Sequence, residues 1–180
     1  MDSPRLRQIL ALLFDPREAE VAARFPLTEA TQAELVEHTG LPTAVLGGIL
    51  ESMANKGLVM DLPVGEETYY LLVPGLIGFF EFSFMRDRGD LPQAELARLM
   101  SEYLREQGKD GQSGEFFGSH WPLTPALVYE DQIPVQSRIT RLEDARRIIR
   151  DADFLAVTMC FCRHKKAHEG KSCQQGAPRG

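Results

Sequence analysis

Cysteine is scarce in this 180-residue chain: there are three, and the first 159 positions hold none. That distribution excludes a secreted disulfide scaffold, whose cysteines are dense and spread through the chain. Long apolar runs are missing too. The most lipid-like stretch, 69–84, is interrupted by Pro74, Gly75, Gly78 and Glu81, and falls short of the ~18 consecutive apolar residues of a spanning helix. Also absent are G-x-G-x-x-G, the Walker loop, H-E-x-x-H and G-x-S-x-G, so dinucleotide, nucleoside-triphosphate, zincin and hydrolase chemistry lack their minimal motifs. One adjacent carboxylate pair, Glu130-Asp131, would point to opposite faces of an extended chain, which suits structure rather than acid–base work. The opening MDSPRLRQIL has neither the apolar core nor the small-residue cleavage site of a signal peptide, and a cytoplasmic, reducing setting is expected.

What is present has a globular composition, 43% hydrophobic and 26% charged. Net charge is −6, unevenly placed. From Cys160 to Gly180 five Lys or Arg face one Glu, so the preceding residues hold fifteen basic against twenty-five acidic side chains. An acidic body is a poor electrostatic footprint for a phosphate-binding surface.

Local signals mark the elements. Leu6, Ile9, Leu10, Leu12 and Leu13 recur at helical spacing from Pro4 to Phe14, and Asp15-Pro16 then reads as N-cap and first helical position of a second helix ending by Pro26. Thr31 and Glu34 have capping-box spacing, and Thr39-Gly40 closes that helix. After Leu41-Pro42-Thr43, the positions Val45, Leu46, Ile49, Leu50 and Met53 predict a further helix stopped by Lys56-Gly57. Two strand-like runs, 58–62 and 68–73, follow around a turn at 63–67. Helix, turn, helix, hairpin is the order of a winged helix.

The stretch TQAELVEHTGLPTAVLGGILESMANKGLVMDLPVGEETYYLLV resembles the winged-helix module of MarR-type and related regulators, including the K-G-L-V exit from its second helix. That resemblance covers about a quarter of the chain and implies a homodimer formed by the flanking helices. Charge argues against DNA reading: from Leu41 to Gly57 Lys56 is the one basic residue, opposed by Glu51, and the wing turn carries Glu66 and Glu67.

Beyond Val73, LIGFFEFSFM at 76–85 is expected to be a buried helix, with an interface helix as the sharper alternative. Leu96, Leu99, Met100, Tyr103 and Leu104 give an amphipathic helix over 92–107. GKDGQSGEFFGS at 108–119 reads as a linker. The organisation expected is therefore a winged-helix domain with flanking helices at 1–107, that linker, and a 120–180 region. The last holds a Pro-rich extended segment, a short helix over 142–149 with Glu143 and Asp144 at its start and arginines at its end, and a strand at 154–159 running into the cysteines. The fold class is α+β, mostly helical, with a cysteine-bearing extended carboxy-terminal region.

On an extended segment Cys160 and Cys162 project to one side, and Cys173 can return to them through RHKKAHEGKS, where Gly170 permits a reversal. Arg163, Lys165, Lys166 and Lys171 offset the negative charge of a thiolate-bound centre. A cytosolic C-x-C with a third Cys in a basic, His-containing loop suits a metal or iron–sulfur group better than inert packing. On the same strand His164 would face the cysteines, and His168 could reach them from the loop, so either would complete a Cys3His zinc site.

The segment 140–173, with LEDARRIIRDADFLAVTMCFCRH and then GKSC, resembles the region preceding the ferredoxin modules in a group of bacterial and archaeal iron–sulfur proteins with an amino-terminal winged-helix-like segment. The resemblance implies that Cys160, Cys162 and Cys173 ligate a 4Fe-4S cluster, with Arg163 as the motif's basic neighbour. The chain departs from the pattern in having three thiols where such a cluster usually takes four, and it lacks the ferredoxin repeats, so it reads as the amino-terminal part of such a protein. The expected function is cluster or metal binding in an electron-transfer or redox system, without catalysis of its own. A redox protein would be the partner, and the winged helix would serve docking or dimerisation, with no membrane association. A transcription regulator with a cysteine-based metal or redox sensor is the alternative, and a structural zinc protein the second.

Overall fold

The computed structural model describes residues 3–105, 141–172 and 174–176. The linker at 108–119, the Pro-rich segment as far as residue 140, and Cys173 lie outside the described residues.

The amino-terminal helices start where local chemistry satisfies their free N–H groups. Ser3 caps α1 (Pro4–Leu13), its hydroxyl accepting from Leu6 N–H at 3.3 Å. Asp15 caps α2 (Pro16–Ala22) by accepting from Arg17 and Glu18, and the Glu18 carboxylate returns to Asp15 N–H at 2.9 Å. A two-residue strand β1 (Ala30–Thr31) leads into α3 (Gln32–Thr39), where Thr31 and Glu34 form the capping box their spacing predicts. Gly40, at φ +70°, ends α3, and Leu41-Pro42 turns the chain into α4 (Thr43–Lys56). Gly57 ends α4 at φ +74°, and a Cβ there would come within 2.6 Å of Phe82 Cβ, so both backbone and packing require glycine.

Next, β2 (Val59–Val64) and β3 (Glu67–Leu72) form an antiparallel hairpin in which Val64 pairs with Glu67 around Gly65-Glu66. Sheet order is β1-β3-β2. Pro63 is tolerated because β2 is an edge strand. The small sheet and the helices make the chain α+β, in the expected order of helix, turn, helix and hairpin.

A π-helical turn (Gly75–Phe79) and a short α5 (Phe80–Phe82) take the place of the single helix expected over 76–85. Phe79, Phe80 and Phe84 are buried in the core with Ile9, Leu13, Leu50, Met53, Leu96 and Tyr103. Then α6 (Gln93–Arg105) packs its Leu96, Leu99, Met100 and Tyr103 face inward and lies against α1. Helix α7 (Leu142–Arg150) buries none of its side chains, while α8 (Phe161–His168) packs on α6 and α5.

The carboxy-terminal region differs from the sequence expectation. Residues 154–159 form no strand, and Phe154 and Val157 are 95% and 93% exposed. Strand composition becomes a strand only beside a free edge. This segment instead bonds to a loop, Met159 N–H donating to the Met85 carbonyl at 2.8 Å. Nor are the cysteines on an extended chain: Cys160 is the N-cap of α8 and Cys162 lies in its first turn.

Candidate metal centre

Helix α8 carries every sequence-predicted site residue among the described ones except Cys160, its cap, and Lys171, just beyond its end. At its head, Cys160 is half-buried and Cys162 exposed, and both are free thiols. Among the described residues no side chain caps the first N–H groups of this helix. Because residues two apart on a helix do not share a face, the alternation expected of a strand does not hold for Cys160 and Cys162. No group of three ligands among the described residues includes either thiol. Cys173 lies outside the described residues.

The histidines face inward instead. His164 is 1% exposed, and its Nδ1 is 2.9 Å from the carbonyl oxygen of Phe84. A carbonyl only accepts, so Nδ1 carries a proton and donates, and in the neutral ring Nε2 keeps its lone pair. That Nε2 lies 3.1 Å from Nε2 of His168, one turn along the helix. Phe84 lies against both rings, T-shaped to His164 and tilted to His168, at centroid distances of 6.2 and 6.1 Å. His164, expected on an extended strand beside the cysteines, lies on a helix instead, and its ring packs on Phe84 where α8 meets α5 and α6.

Exposed Asp87 brings a carboxylate to the same place, so that one ligand atom each from Asp87, His164 and His168 lies within 4.8 Å of the others. Its loop, between α5 and α6, is held by buried Gln93. The Gln93 amide nitrogen donates to Ser83 O at 2.8 Å and Arg86 O at 2.9 Å, and its oxygen accepts from Arg88 N–H at 3.1 Å. Arg88 and Arg86 both donate to the Asn55 carbonyl at the end of α4, and Arg88 also pairs with Asp90. The Arg88 hydrogen bond holds the Asp90 carboxyl below its ordinary range despite partial burial.

Two of the basic residues are held in ion pairs at the end of α8. Lys165 is buried and donates to Ser101 and to Glu169 at 2.9 Å, while Lys166 donates to Glu169 at 2.7 Å. Burial would raise the Glu169 carboxyl, but hydrogen bonds from Lys166, Ser101 and Lys165 outweigh it and hold the group at about 2. Lys165 thereby fastens the end of α8 to Ser101 of α6, and Lys166 braces Glu169 at the same end. Arg163 and Lys171 remain exposed near the two ends of the helix.

Asp87 was not legible as a site residue, since an isolated Asp 77 positions before His164 has no sequence signal. The H-x-x-x-H spacing of His164 and His168 was available, because residues four apart share a helical face, but only once the segment is known to be helical. No protein-family model and no curated protein matches the chain.

Proposed function

We propose that this is a winged-helix metal-binding protein of a redox or electron-transfer system, with Cys160, Cys162 and Cys173 as ligands. The observation that supports it is the pair of free thiols at the head of α8, where uncapped N–H groups favour the negative charge of a thiolate-bound centre. A 4Fe-4S cluster would take those two thiolates and Cys173, and a fourth ligand from a non-thiol donor or a second polypeptide, because the chain has three cysteines. Bound there, it would supply one-electron transfer. Zinc is the alternative occupant and would make the site structural.

The winged helix serves a protein partner or a second copy rather than DNA. Lys56, the one basic residue of α4, is turned inward to Glu18 at 2.6 Å, with its side chain 17% exposed. What α4 offers outward is Thr43, Ala44, Val45, Gly48, Glu51 and Asn55, with no cation among them. A surface without Lys or Arg releases no counterions from a phosphate backbone.

Anaerobic purification with iron, zinc and acid-labile sulfide analysis tests the centre. Iron with sulfide and a broad absorbance near about 400 nm is the expected result, lost in Cys160→Ser and Cys162→Ser. Full metal retention in both variants and in Cys173→Ser would sink the thiol site. A gel shift at about 50 mM salt, where phosphate affinity is high, separates the regulator reading: sequence-preferring binding there would overturn the docking role.

A further inference from the structure

We propose that His164, His168 and Asp87 form a second metal site, independent of the cysteines, for a divalent transition-metal ion of the zinc class. Two imidazoles bound to one tetrahedral zinc at about 2.0–2.1 Å hold their nitrogens about 3.3 Å apart. His164 Nε2 and His168 Nε2 are 3.1 Å apart without any rearrangement. Asp87 is exposed, and one of its carboxylate oxygens lies within 4.8 Å of a ring nitrogen of each histidine.

Three further features point to a ligand rather than to a chance pair. The Phe84 carbonyl fixes the His164 tautomer with Nδ1–H donating, the outer contact that orients metal-bound histidines and leaves Nε2 free to ligate. His164 is buried, and its Nε2 faces the ring nitrogen of His168 at 3.1 Å, a hydrogen bond that an entering metal ion would replace. His168 also lines the cleft between α6 and the end of α8, beside Arg98, Ser101, Glu102 and Lys171, and Asp87 is exposed.

Ligand chemistry selects the ion. Two imidazoles and one carboxylate suit zinc, cobalt, nickel or iron and not magnesium or calcium, which take oxygen donors. Three protein ligands leave a coordination position open to water or a small ligand. The histidines have the i, i+4 spacing of a zincin helix, but Lys165 stands where that motif has its glutamate base. The site therefore binds metal without the hydrolytic base of that class.

The test is titration of the untagged full chain carrying Cys160→Ser, Cys162→Ser and Cys173→Ser with cobalt(II), followed by zinc competition. One equivalent should bind, with ligand-field bands and no thiolate charge-transfer absorption. His168→Gln and Asp87→Asn should each weaken binding by at least the roughly 10–100-fold that losing a supporting partner costs at metal sites, and His38→Gln should leave it unchanged. No binding, or equal affinity in the His168 and Asp87 variants, overturns the proposal. Should the cysteine-free chain lose its native circular dichroism, the same His168 and Asp87 variants are compared in the wild-type chain, where thiolate bands report the cysteines separately. Metal lost with the cysteines alone would leave the thiol centre standing and remove this one, and the reverse result would do the opposite.

Discussion

Glu18 is 1% exposed, and its two carboxylate oxygens meet three donors: Asp15 N–H at 2.9 Å, Ser52 Oγ–H at 2.7 Å and Lys56 Nζ at 2.6 Å. One residue thus caps α2, ties it to α4 and neutralises the cation that α4 would otherwise present. Removing it leaves Lys56 largely buried without its counter-charge, the arrangement that costs most when an ion pair is broken. Glu18→Ala should lower stability by about 3–5 kcal/mol, read as a lower urea midpoint at unchanged slope. The Asp15-Pro16 start was legible in sequence because a cap acts over three residues. The Lys56 contact was not, because its partner lies 38 positions away.

Between elements, α1 and α6 are joined at the surface by Glu102, which accepts from Arg98 at 2.7 Å and from Arg5 at 3.2 Å. Those hydrogen bonds, Arg98 first and then Arg5, hold the Glu102 carboxyl below its ordinary value of 4.5. A carboxyl depressed on folding contributes stability that is present above its unfolded pKa and disappears as pH falls through the folded one. Wild type should therefore exceed Glu102→Gln in urea midpoint at pH 7, and the gap should close as pH drops below 4.5. High salt should narrow it at neutral pH, since the pair is exposed to screening. An equal gap at pH 7 and pH 3 would remove the ion pairs as its cause. The amphipathic face of α6 was readable from its apolar period, whereas its pairing with α1 was not, because periodicity marks a buried face without naming what covers it.

At the scale of the whole molecule, α8 closes one side of the core. Its His164 and His168 rings cover Phe84, and its Lys165 reaches Ser101 on α6. A chain ended at residue 150 should uncover Phe84, melt at lower temperature and bind a hydrophobic dye, while one ended at residue 172 should do neither. Equal melting of the two would mean that α8 contributes nothing to the folded body. Sequence alone determined the helix starts at Asp15 and Thr31, the stops at Gly40 and Gly57, and the hairpin around Gly65. Each is set by groups a few residues apart, through caps, left-handed glycines and apolar spacing. Tertiary structure decided that the segment after Met159 becomes a helix, that Lys56 points inward, and that His164 and His168 face Asp87 across the Phe84 loop. Those outcomes depend on burial against α2, α5 and α6, contacts between residues 38 to 80 apart that no local pattern encodes.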